Sequence, residues 1–445
     1  MHEFLNNINA HIIKEELNVY SGSERKKTLL MDDGQRYMLK FPDPTREKGL
    51  RLSYINNTIS EYLGCHVYQT IGLSVQKTSL GIYIADMAGT GTPKIACLCR
   101  DFKNDGITLH EAEKLLLSSV DSDAQNSLTL STVKRLLKET TNDWQTAWKK
   151  YCDMTIVDAL IGNTDRHNGN WGLAEYPDHT ISMAPVFDCG SSFSPLLSDE
   201  ELSERIANRE ALTVQSALRD ENTHRKLSFA EILNGHEPEI LRAERRIIPK
   251  ISLQAINDVI DSIPYISERR KGFYKSLVSV RYEKLLIPTL EKNLSIQKTD
   301  EYKQWNSKVI AKIFELYISA LCQLPENCDT QITINHHNFV VRRNGDYLFL
   351  MNNQEECDGL IHLKKTNLNI GKFVQCMRNL GCPINIHDII LETRNEASNV
   401  EKSDSRNVNA TGTVENGADT IPIDSACNLL DEEETVDMND IEEER

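Results

Sequence analysis

The sequence predicts an α+β protein with a β-rich first lobe, a helical second lobe and a small appended C-terminal α/β module. Turn signals and short strand-like runs dominate roughly the first hundred residues. From about residue 108 to about residue 293, apolar residues instead recur at helical spacing. We therefore expect domains at residues 1–100, 101–298 and 299–393, followed by a disordered acidic tail at residues 394–445.

The charge of the chain is concentrated in that tail. Residues 394–445 carry 15 acidic and 4 basic side chains, so the tail holds −11 of the formal net charge of −16 and the rest of the chain only −5. A nearly neutral body offers no basic face for direct nucleic-acid binding. No signal peptide or membrane-spanning apolar run is visible, and the eleven cysteines include no Cys-x-x-Cys pair. We expect a cytoplasmic protein without a zinc site.

The first lobe is predicted to contain a hairpin followed by a helix. Asp33-Gly34 is a turn signal between strands at Thr28–Met31 and Arg36–Phe41. Because strand side chains alternate, Lys40 lies on the face opposite Leu39, either as a solvated lysine or as a functional cation. The helix, at about residues 54–72, carries Glu61, which is either an exposed helix glutamate or a partner for Lys40.

The first lobe ends with two further strands, and the second lobe follows. The strands are expected at Gly81–Met87 and Lys94–Cys99, with Cys97 and Cys99 packed on one face, and Arg100-Asp101-Phe102 would connect the lobes. Helical periodicity and a short apolar run predict the main elements of the second lobe: helices at Leu128–Thr140, Trp144–Leu160, Leu253–Ile263 and Phe273–Leu286, and a strand at His179–Phe187.

A polar segment at residues 163–170 lies between the second of these helices and the strand. It contains Asp165 and, five positions later, Asn170, and the strand leads into Asp188-Cys189-Gly190. The bland interpretation is a polar turn, since Asn, Asp and Gly favour turns. The functional interpretation is phosphoryl transfer, which needs a carboxylate near the attacking hydroxyl and oxygen ligands for Mg²⁺ on the nucleotide phosphates. An Asp, an Asn five residues on and a later Asp-x-Gly supply those groups in that order.

The order Asp165-Arg166-His167, followed by Asn170 and Asp188, resembles the HipA-like Ser/Thr kinases and, more loosely, the phosphoinositide 3- and 4-kinases. The resemblance covers roughly residues 15–293 and implies a bilobal protein-kinase-like fold. It implies that Asp165 is the catalytic residue and that Asn170 and Asp188 bind Mg²⁺. The nucleotide-binding residues that it implies are Gly22, Ser23, Lys40, Glu61, Arg100, Asp101, Phe102, His167, Asn170 and Asp188.

The resemblance further implies an ATP- and Mg²⁺-dependent kinase that phosphorylates Ser or Thr of a protein substrate. Autophosphorylation is expected at Ser21 or Ser23, in a loop that has one Gly where a Gly-rich loop has three. HipA toxins carry an additional N-terminal domain that meets their antitoxin, and this sequence begins almost directly at the nucleotide lobe, so pairing with an antitoxin-like regulator is expected only if a separate small protein supplies that part. Two alternatives remain open: a phosphoinositide kinase, and a non-catalytic binding protein that keeps the fold.

The C-terminal module is predicted to be a helix, a hairpin and a helix. The helices are expected at about residues 301–322 and 370–380, and the strands at Thr330–Val341 and Asp346–Met351. Asn344-Gly345 between the strands predicts a type I′ turn. His336 and His337 face opposite sides of a strand, so a shared metal site is not expected. No chemistry is recognised in this module.

Overall fold

The computed structural model describes residues 4–16, 25–42, 56–84, 93–118, 128–296, 322, 324–334, 337–352, 355–363 and 390–393. The chain divides into two compact units, one of residues 1–300 with 351–358 and one of residues 301–350 with 359–445. The predicted loop residues Gly22 and Ser23 and the acidic tail lie outside the described residues. No helix of the described part is both long enough and apolar enough to cross a membrane.

A five-stranded sheet forms the first lobe, in the order β1-β2-β3-β5-β4, with all neighbouring strands antiparallel. One face packs on Ile8 through Leu29, Leu39, Phe41 and Leu98. The predicted hairpin is present, with Gly34 at φ +75° in its turn. The strands are β1 (Ile12–Glu16), β2 (Arg25–Met31), β3 (Arg36–Phe41), β4 (Thr78–Ile84) and β5 (Pro93–Arg100).

Helix α1 (Asn57–Thr70) lies against the other side of this sheet, along β4 and β5. Twelve of its residues, Asn57 through Tyr68, are buried, so it is a core helix rather than an amphipathic surface helix. The predicted helix began at about residue 54, and residues 54 and 55 lie outside the described residues. Cys97 and Cys99 are both fully buried on β5, as predicted, with their Sγ atoms 3.9 Å apart.

The second lobe consists mainly of helices around α4 (Trp144–Ile161), with a three-stranded sheet in the order β6-β7-β8. Its other elements are β6 (Thr108–Glu111), α2 (Ala112–Ser118), α3 (Leu130–Thr140), β7 (Gly172–Glu175), β8 (Ile181–Met183), α5 (Glu204–Thr213), β9 (Gln215–Arg219), β10 (Lys226–Ser228), α6 (Phe229–Leu233), α7 (Pro238–Ile247), α8 (Leu253–Ser262), α9 (Glu268–Arg281) and α10 (Ile287–Ile296).

Helix α4 brings the chain to the polar segment. Asp143 caps its N-terminus, accepting a hydrogen bond from the Thr146 amide. Gly162 ends it at φ +67°, the left-handed conformation that glycine adopts without a steric penalty. A Cβ on Gly162 would lie 2.4 Å from the Nη2 atom of the buried Arg281, so both the backbone and the packing require glycine here. The segment after α4 therefore starts from a fixed point.

Two predicted boundaries in the second lobe were wrong. The strand expected at His179–Phe187 is only Ile181–Met183: His179 lies in a turn at φ +64°, and Pro185 lacks the N–H that a ladder needs. The helix expected at Phe273–Leu286 begins earlier, at Glu268, where Ser267 provides the cap. After Arg281 it continues as a π-helical turn, Tyr282–Leu286, into α10.

The C-terminal region contains a second five-stranded sheet, in the order β14-β13-β12-β11-β15. Its strands are β11 (Asp329–Ile334), β12 (His337–Asn344), β13 (Tyr347–Met351), β14 (Cys357–His362) and β15 (Ile390–Thr393). The predicted strand Thr330–Val341 was wrong, because it is two antiparallel strands in which Ile334 pairs with His337. The polar residues Asn335 to Asn338 interrupt the apolar run at that point.

The type I′ turn was also wrong. Such a turn needs two consecutive residues with positive φ, and here Gly345 has φ +56° while Asn344 and Asp346 do not have positive φ. The hairpin between β12 and β13 is nevertheless where the Asn-Gly signal placed it. The helix expected at about 301–322 lies outside the described residues except for Cys322, which is in a turn, and the helix expected at 370–380 lies wholly outside them.

Candidate active site

A cleft of about 500 Å³ opens between the first sheet and the segment after α4. Predicted site residues from distant parts of the sequence meet in it. They are Lys40 on β3, Asp101 and Phe102 after β5, Asp165, His167 and Asn170 after α4, and Asp188 after β8. The same cleft also has uncharged lining residues, which are Met38, Gln76, Ile107 and Leu109. Within the described residues, the sequence motif therefore forms one site.

Lys40 is the buried cation of the cleft. Its side chain is only 3% exposed, and its Nζ lies 2.9 Å from Glu61 Oε2 and donates to Asp188 Oδ1 at 2.8 Å. Glu61 is fully buried on α1, so the interpretations of a solvated lysine and an exposed helix glutamate were wrong. A buried charge is tolerated only when it is paired, and Lys40 supplies the pairing for two carboxylates.

Asp188 is held in place by two ammonium groups. In addition to Lys40, Lys26 Nζ lies 3.7 Å from Asp188 Oδ2, and the Asp188 side chain is 21% exposed. Burial raises the pKa of the Asp188 carboxyl, but the charges of Lys40 and Lys26 outweigh it, and the pKa lies well below its usual range. The backbone of Asp188 has φ +57°, an uncommon conformation that functional sites often contain.

Lys26 was missed as a site residue in the sequence, because the turn signal at Asp33-Gly34 indicates a pairing register one residue away from the observed one. A two-residue turn at Asp33-Gly34 would pair residues whose numbers sum to 67 and put Lys27 opposite Lys40, whereas the structure pairs Lys26 with Lys40, whose numbers sum to 66. Residues directly opposite each other on paired strands project from the same face. The hairpin register therefore places two lysines side by side over the cleft.

The segment after α4 presents Asp165 to solvent. The Asp165 side chain is 54% exposed, and its Oδ2 lies 3.9 Å from His167 Nε2. The Asn170 side-chain nitrogen donates to the Asp165 carbonyl at 2.7 Å, which turns the amide oxygen of Asn170 away from that bond. The Asp165 carboxylate is open to the cleft and can accept a proton from a substrate. The oriented amide oxygen of Asn170 beside it is a neutral ligand for a cation.

Arg166, between Asp165 and His167, points into the protein instead. It is 5% exposed, its Nε donates to Asp158 Oδ2 at 2.9 Å, and its Nη1 donates to the carbonyl of Asn170 at 2.7 Å. Burial lowers the pKa of Arg166, but the charge of Asp158 outweighs it and raises the pKa well above its usual range. The buried ion pair of Arg166 with Asp158 was missed in the sequence analysis. The available signal was a charged residue, Asp158, in the otherwise apolar last turn of α4.

Of the three residues predicted to connect the lobes, two line the cleft and one does not. Asp101 and Phe102 line the cleft, and Phe102 packs edge-on against Phe187 at 6.0 Å between ring centroids. Arg100 does not line it, because its guanidinium donates to Gln35 at 3.1 Å and pairs with Asp105. Only the Arg100 carbonyl faces inward, accepting from the side chain of Gln76 at 2.9 Å.

The donor set fits magnesium. Asp188 and Asn170 offer carboxylate and amide oxygens at the same cleft, and Mg²⁺ prefers such hard ligands. Proteins usually hold Mg²⁺ with one or two side chains and leave the remaining positions to phosphates and water. The described residues contain no cluster of three or more His, Cys, Asp or Glu suited to a metal.

Comparisons with known proteins identify similar sequences and structures. The serine/threonine-protein kinase CtkA of Helicobacter pylori strain J99 is 31% identical over 282 residues, which cover 60% of this chain and 82% of the relative. A crystal structure of an H. pylori proinflammatory kinase CtkA is 26% identical with a TM-score of 0.58, covering 66% of this chain and 100% of that chain. A chain of the Shewanella oneidensis MR-1 toxin–antitoxin complex of HipA, HipB and operator DNA is 17% identical, with a TM-score of 0.39 over 62% of this chain and 68% of that chain.

The fold is therefore bilobal and protein-kinase-like, as predicted, with the cleft between its sheet-rich and helical lobes. A model of the HipA-like C-terminal domain matches residues 20–257, which are more than half of the chain and include all the residues that line the cleft, from Lys26 to Ser191. With the motif, the cleft geometry and the CtkA relative in agreement, this chain belongs to the HipA-like C-terminal domain family.

Proposed function

We propose that this protein is a protein kinase that transfers the γ-phosphate of ATP, with Mg²⁺, to Ser or Thr of a protein substrate. The observation that carries the proposal is the contact of Lys40 with both Glu61 and Asp188 in a cleft that also holds Asp165. Phosphoryl transfer depends mainly on positioning and on neutralising phosphate charge, and these are the groups that do both. The name of the CtkA relative, a serine/threonine-protein kinase, supports the same reaction.

Each residue then has a defined task. Asp165 orients the acceptor hydroxyl and accepts its proton, since its carboxylate is exposed in the cleft beside Asn170. Lys40 and Lys26 contact the nucleotide phosphates. Asn170 and Asp188 hold Mg²⁺, which when bound neutralises phosphate charge. His167 and the backbone at Asp101 and Phe102 contribute to nucleotide binding, and Glu61 holds Lys40 in position.

The competing charges in the cleft favour this assignment. Lys26 and Lys40 both form ion pairs with Asp188, at 3.7 and 2.8 Å. Phosphates would bring negative charge and Mg²⁺ positive charge to the same place, so the lysines would be available to the phosphates and Asp188 would be available to hold the metal. The cleft is thus arranged to exchange internal ion pairs for ligand contacts at little electrostatic cost.

Autophosphorylation at Ser21 or Ser23 is part of the proposal and rests on sequence alone. A phosphate there adds a charge of about −1.5 to −2 at pH 7. Beside the phosphates of ATP that charge is repulsive, so we expect the modified protein to be less active. Intact-mass and peptide analysis after incubation with ATP tests this idea, and unmodified peptides spanning residues 21–23 would count against it. The antitoxin-like regulator stays a prediction from the resemblance.

The test of the proposed function is incubation of purified protein with radiolabelled ATP and Mg²⁺, using a protein mixture in one arm and phosphoinositide vesicles in another. We expect label on Ser or Thr of protein and none on lipid, with Asp165→Asn as the inactive control. Label on lipid alone would assign the site to a lipid kinase. Nucleotide binding without transfer to either acceptor would assign it to a non-catalytic binding protein.

A further inference from the structure

We infer that the side chains of Tyr68, Asp158, Asn163 and Arg166, which we call the Asp158 hub, position the magnesium ligands of the cleft. This inference rests on the proposed function. None of the four side chains lines the cleft, so any effect on the reaction passes through other groups. The hub joins the helix that carries Glu61, the segment that carries Asp165 and Asn170, and the segment that carries Asp188.

Asp158 is the acceptor at the centre. It is 2% exposed in the last turn of α4, and its Oδ1 accepts from Tyr68 Oη at 2.9 Å, Asn163 Nδ2 at 3.2 Å and Arg166 Nη2 at 3.1 Å. Its Oδ2 accepts from Arg166 Nε at 2.9 Å. The carboxylate and the guanidinium therefore meet as a two-bond fork, a geometry that lysine cannot reproduce.

Arg166 carries this connection to the metal ligands. Its Nη1 donates to the carbonyl of Asn170 at 2.7 Å, to the carbonyl of Asp188 at 3.3 Å and, at close range, to the carbonyl of Phe187. Both proposed metal ligands are thus held at their backbones by the same nitrogen. Their separation is set by one rigid, planar group instead of by two independent loops.

Tyr68 extends the hub to the first lobe. Glu61 and Tyr68 are seven residues apart on α1, which places them on one face of that helix. Glu61 contacts Lys40, and the Tyr68 hydroxyl contacts Asp158, so the helix is tied to the cation of the cleft at one point and to the hub at another. A shift of α1 would disturb both.

A purely structural role gives a different experimental result from a positioning role. A structural group changes stability and leaves the metal dependence of the folded protein intact. A group that positions metal ligands changes the Mg²⁺ requirement, typically by about 10- to 100-fold for partners of a ligand. Nucleotide contacts made by Lys40 and Lys26 need no metal, so binding measured without Mg²⁺ should change little.

The experiment is calorimetric titration of the full chain with a non-hydrolysable ATP analogue over a range of Mg²⁺ concentrations, alongside Tm and phosphate transfer. The variants are Tyr68→Phe, Asp158→Asn and Arg166→Lys. Tyr83→Phe is the matched control, because it removes the hydroxyl of an equally buried tyrosine that accepts a hydrogen bond from Lys27 at 3.1 Å, outside both the hub and the cleft. We expect Asp158→Asn and Arg166→Lys to raise the half-saturating Mg²⁺ concentration about 10- to 100-fold. We expect about 2- to 10-fold for Tyr68→Phe, the loss of one hydrogen bond, and no change for the control.

Folded variants with the wild-type Mg²⁺ requirement would overturn the inference. Loss of the fold in all three, including the mild Tyr68→Phe change, would assign the hub to stability and overturn it equally. Failure of the proposed function has a separate signature. In that case the wild-type protein binds the Mg²⁺–nucleotide complex in a hub-dependent manner but transfers no phosphate.

Discussion

Lys40, Glu61 and Asp188 form a row of three charges in which one ammonium serves two carboxylates. With Glu61 fully buried and Lys40 3% exposed, water screens this row poorly. Removing the central cation leaves a buried carboxylate without its partner, which is costlier than removing an exposed pair. The same residues are those to which we assign nucleotide and metal contacts, so stability and activity are coupled at this site.

Lys40→Met tests that coupling. Breaking a buried pair by removing one partner costs about 3–5 kcal/mol, and we expect a loss of that order in the free energy of unfolding together with loss of phosphate transfer. Lys27→Met is the control, since Lys27 on β2 forms its own ion pair with Glu15 at 2.8 Å outside the cleft. Urea unfolding of both variants measures the difference. Equal stability of the two would contradict the buried row.

Glu244 predicts a pH dependence of stability. It is fully buried, accepts from Asn293 at 2.9 Å, and burial raises the pKa of its carboxyl to about 8. The unfolded chain releases this proton near pH 4.3, so between about pH 4.5 and pH 8 the folded state binds more protons and stability falls as the pH rises. We expect Glu244→Gln to flatten that slope, while Glu291→Gln on the exposed side of α10 leaves it unchanged. Urea unfolding at pH 5, 6, 7 and 8 measures the slope, and identical slopes for wild type and Glu244→Gln would reject this assignment.

At the scale of elements, the C-terminal end of α4 decides where the reacting residues lie. The helix ends at Gly162. The next residue, Asn163, donates a hydrogen bond from its side-chain nitrogen to the carboxylate of Asp158 in the last turn of the helix. Arg281, from α9, donates to the carbonyl of Leu160 at 3.3 Å and packs over Gly162. A helix end fixed from both sides gives the segment to Asn170 a defined start.

Gly162→Ala, with Gly272→Ala as its control, tests whether the C-terminal end of α4 is constrained in this way. At Gly162, with φ +67°, a methyl group would lie 2.4 Å from Arg281 Nη2, so we expect destabilisation and a fall in activity. Gly272 lies within α9 with open space around its Cα, so alanine there should stabilise the protein by roughly 0.5–1 kcal/mol. Denaturant unfolding compares them, and a stabilising Gly162→Ala would show that the helix end is not constrained as described.

At the scale of the whole molecule, the first unit holds the cleft, and the charge of the chain lies mostly in the tail that follows Thr393. The tail carries −11, which is too polar to offset an ordering entropy of about 1–2 kcal/mol per residue. It stays a sequence prediction that this tail is disordered and mainly solubilising, with docking on a basic partner or on the kinase itself as the alternative.

Truncation after Thr393 tests the tail. We expect the shortened protein to keep its Tm and its rate of phosphate transfer at both low and physiological salt. A gain in activity that appears at low salt and fades with screening would instead show that the tail inhibits the kinase. Loss of the fold would show that the tail is part of a packed domain.

The sequence predicted the features that follow from local pattern. Lys40 emerged from strand alternation, and the grouping of Asp165, Asn170 and Asp188 emerged from a motif whose spacing matches its chemistry. The Asp158 hub did not emerge, because its hydrogen bonds join residues up to 90 positions apart and no periodicity reports such contacts. Lys26 did not emerge either, because a turn centred on Asp33-Gly34 puts Lys27 opposite Lys40 and the observed register differs from that by one residue.

Boundaries were predicted less well than element types, for reasons visible in single residues. Pro185 and the turn at His179 shortened a strand that apolar content alone extended. Ser267 started α9 five residues before its apolar pattern began. Both effects come from the local chemistry of single residues, such as the missing N–H of Pro185 and the capping hydroxyl of Ser267, which an averaged pattern does not weigh.

The central claim is that Asp165 is the base of a phosphoryl-transfer site, and the rate of phosphate transfer by Asp165→Asn tests it most directly. At saturating Mg²⁺ and ATP, we expect transfer to a protein acceptor to fall by about 10²–10⁴-fold, because general acid–base groups contribute that much. Binding of the Mg²⁺–nucleotide complex and Tm should stay at wild-type values, since the Asp165 side chain is exposed and holds no buried partner. A folded Asp165→Asn protein that transfers phosphate at the wild-type rate would contradict the account.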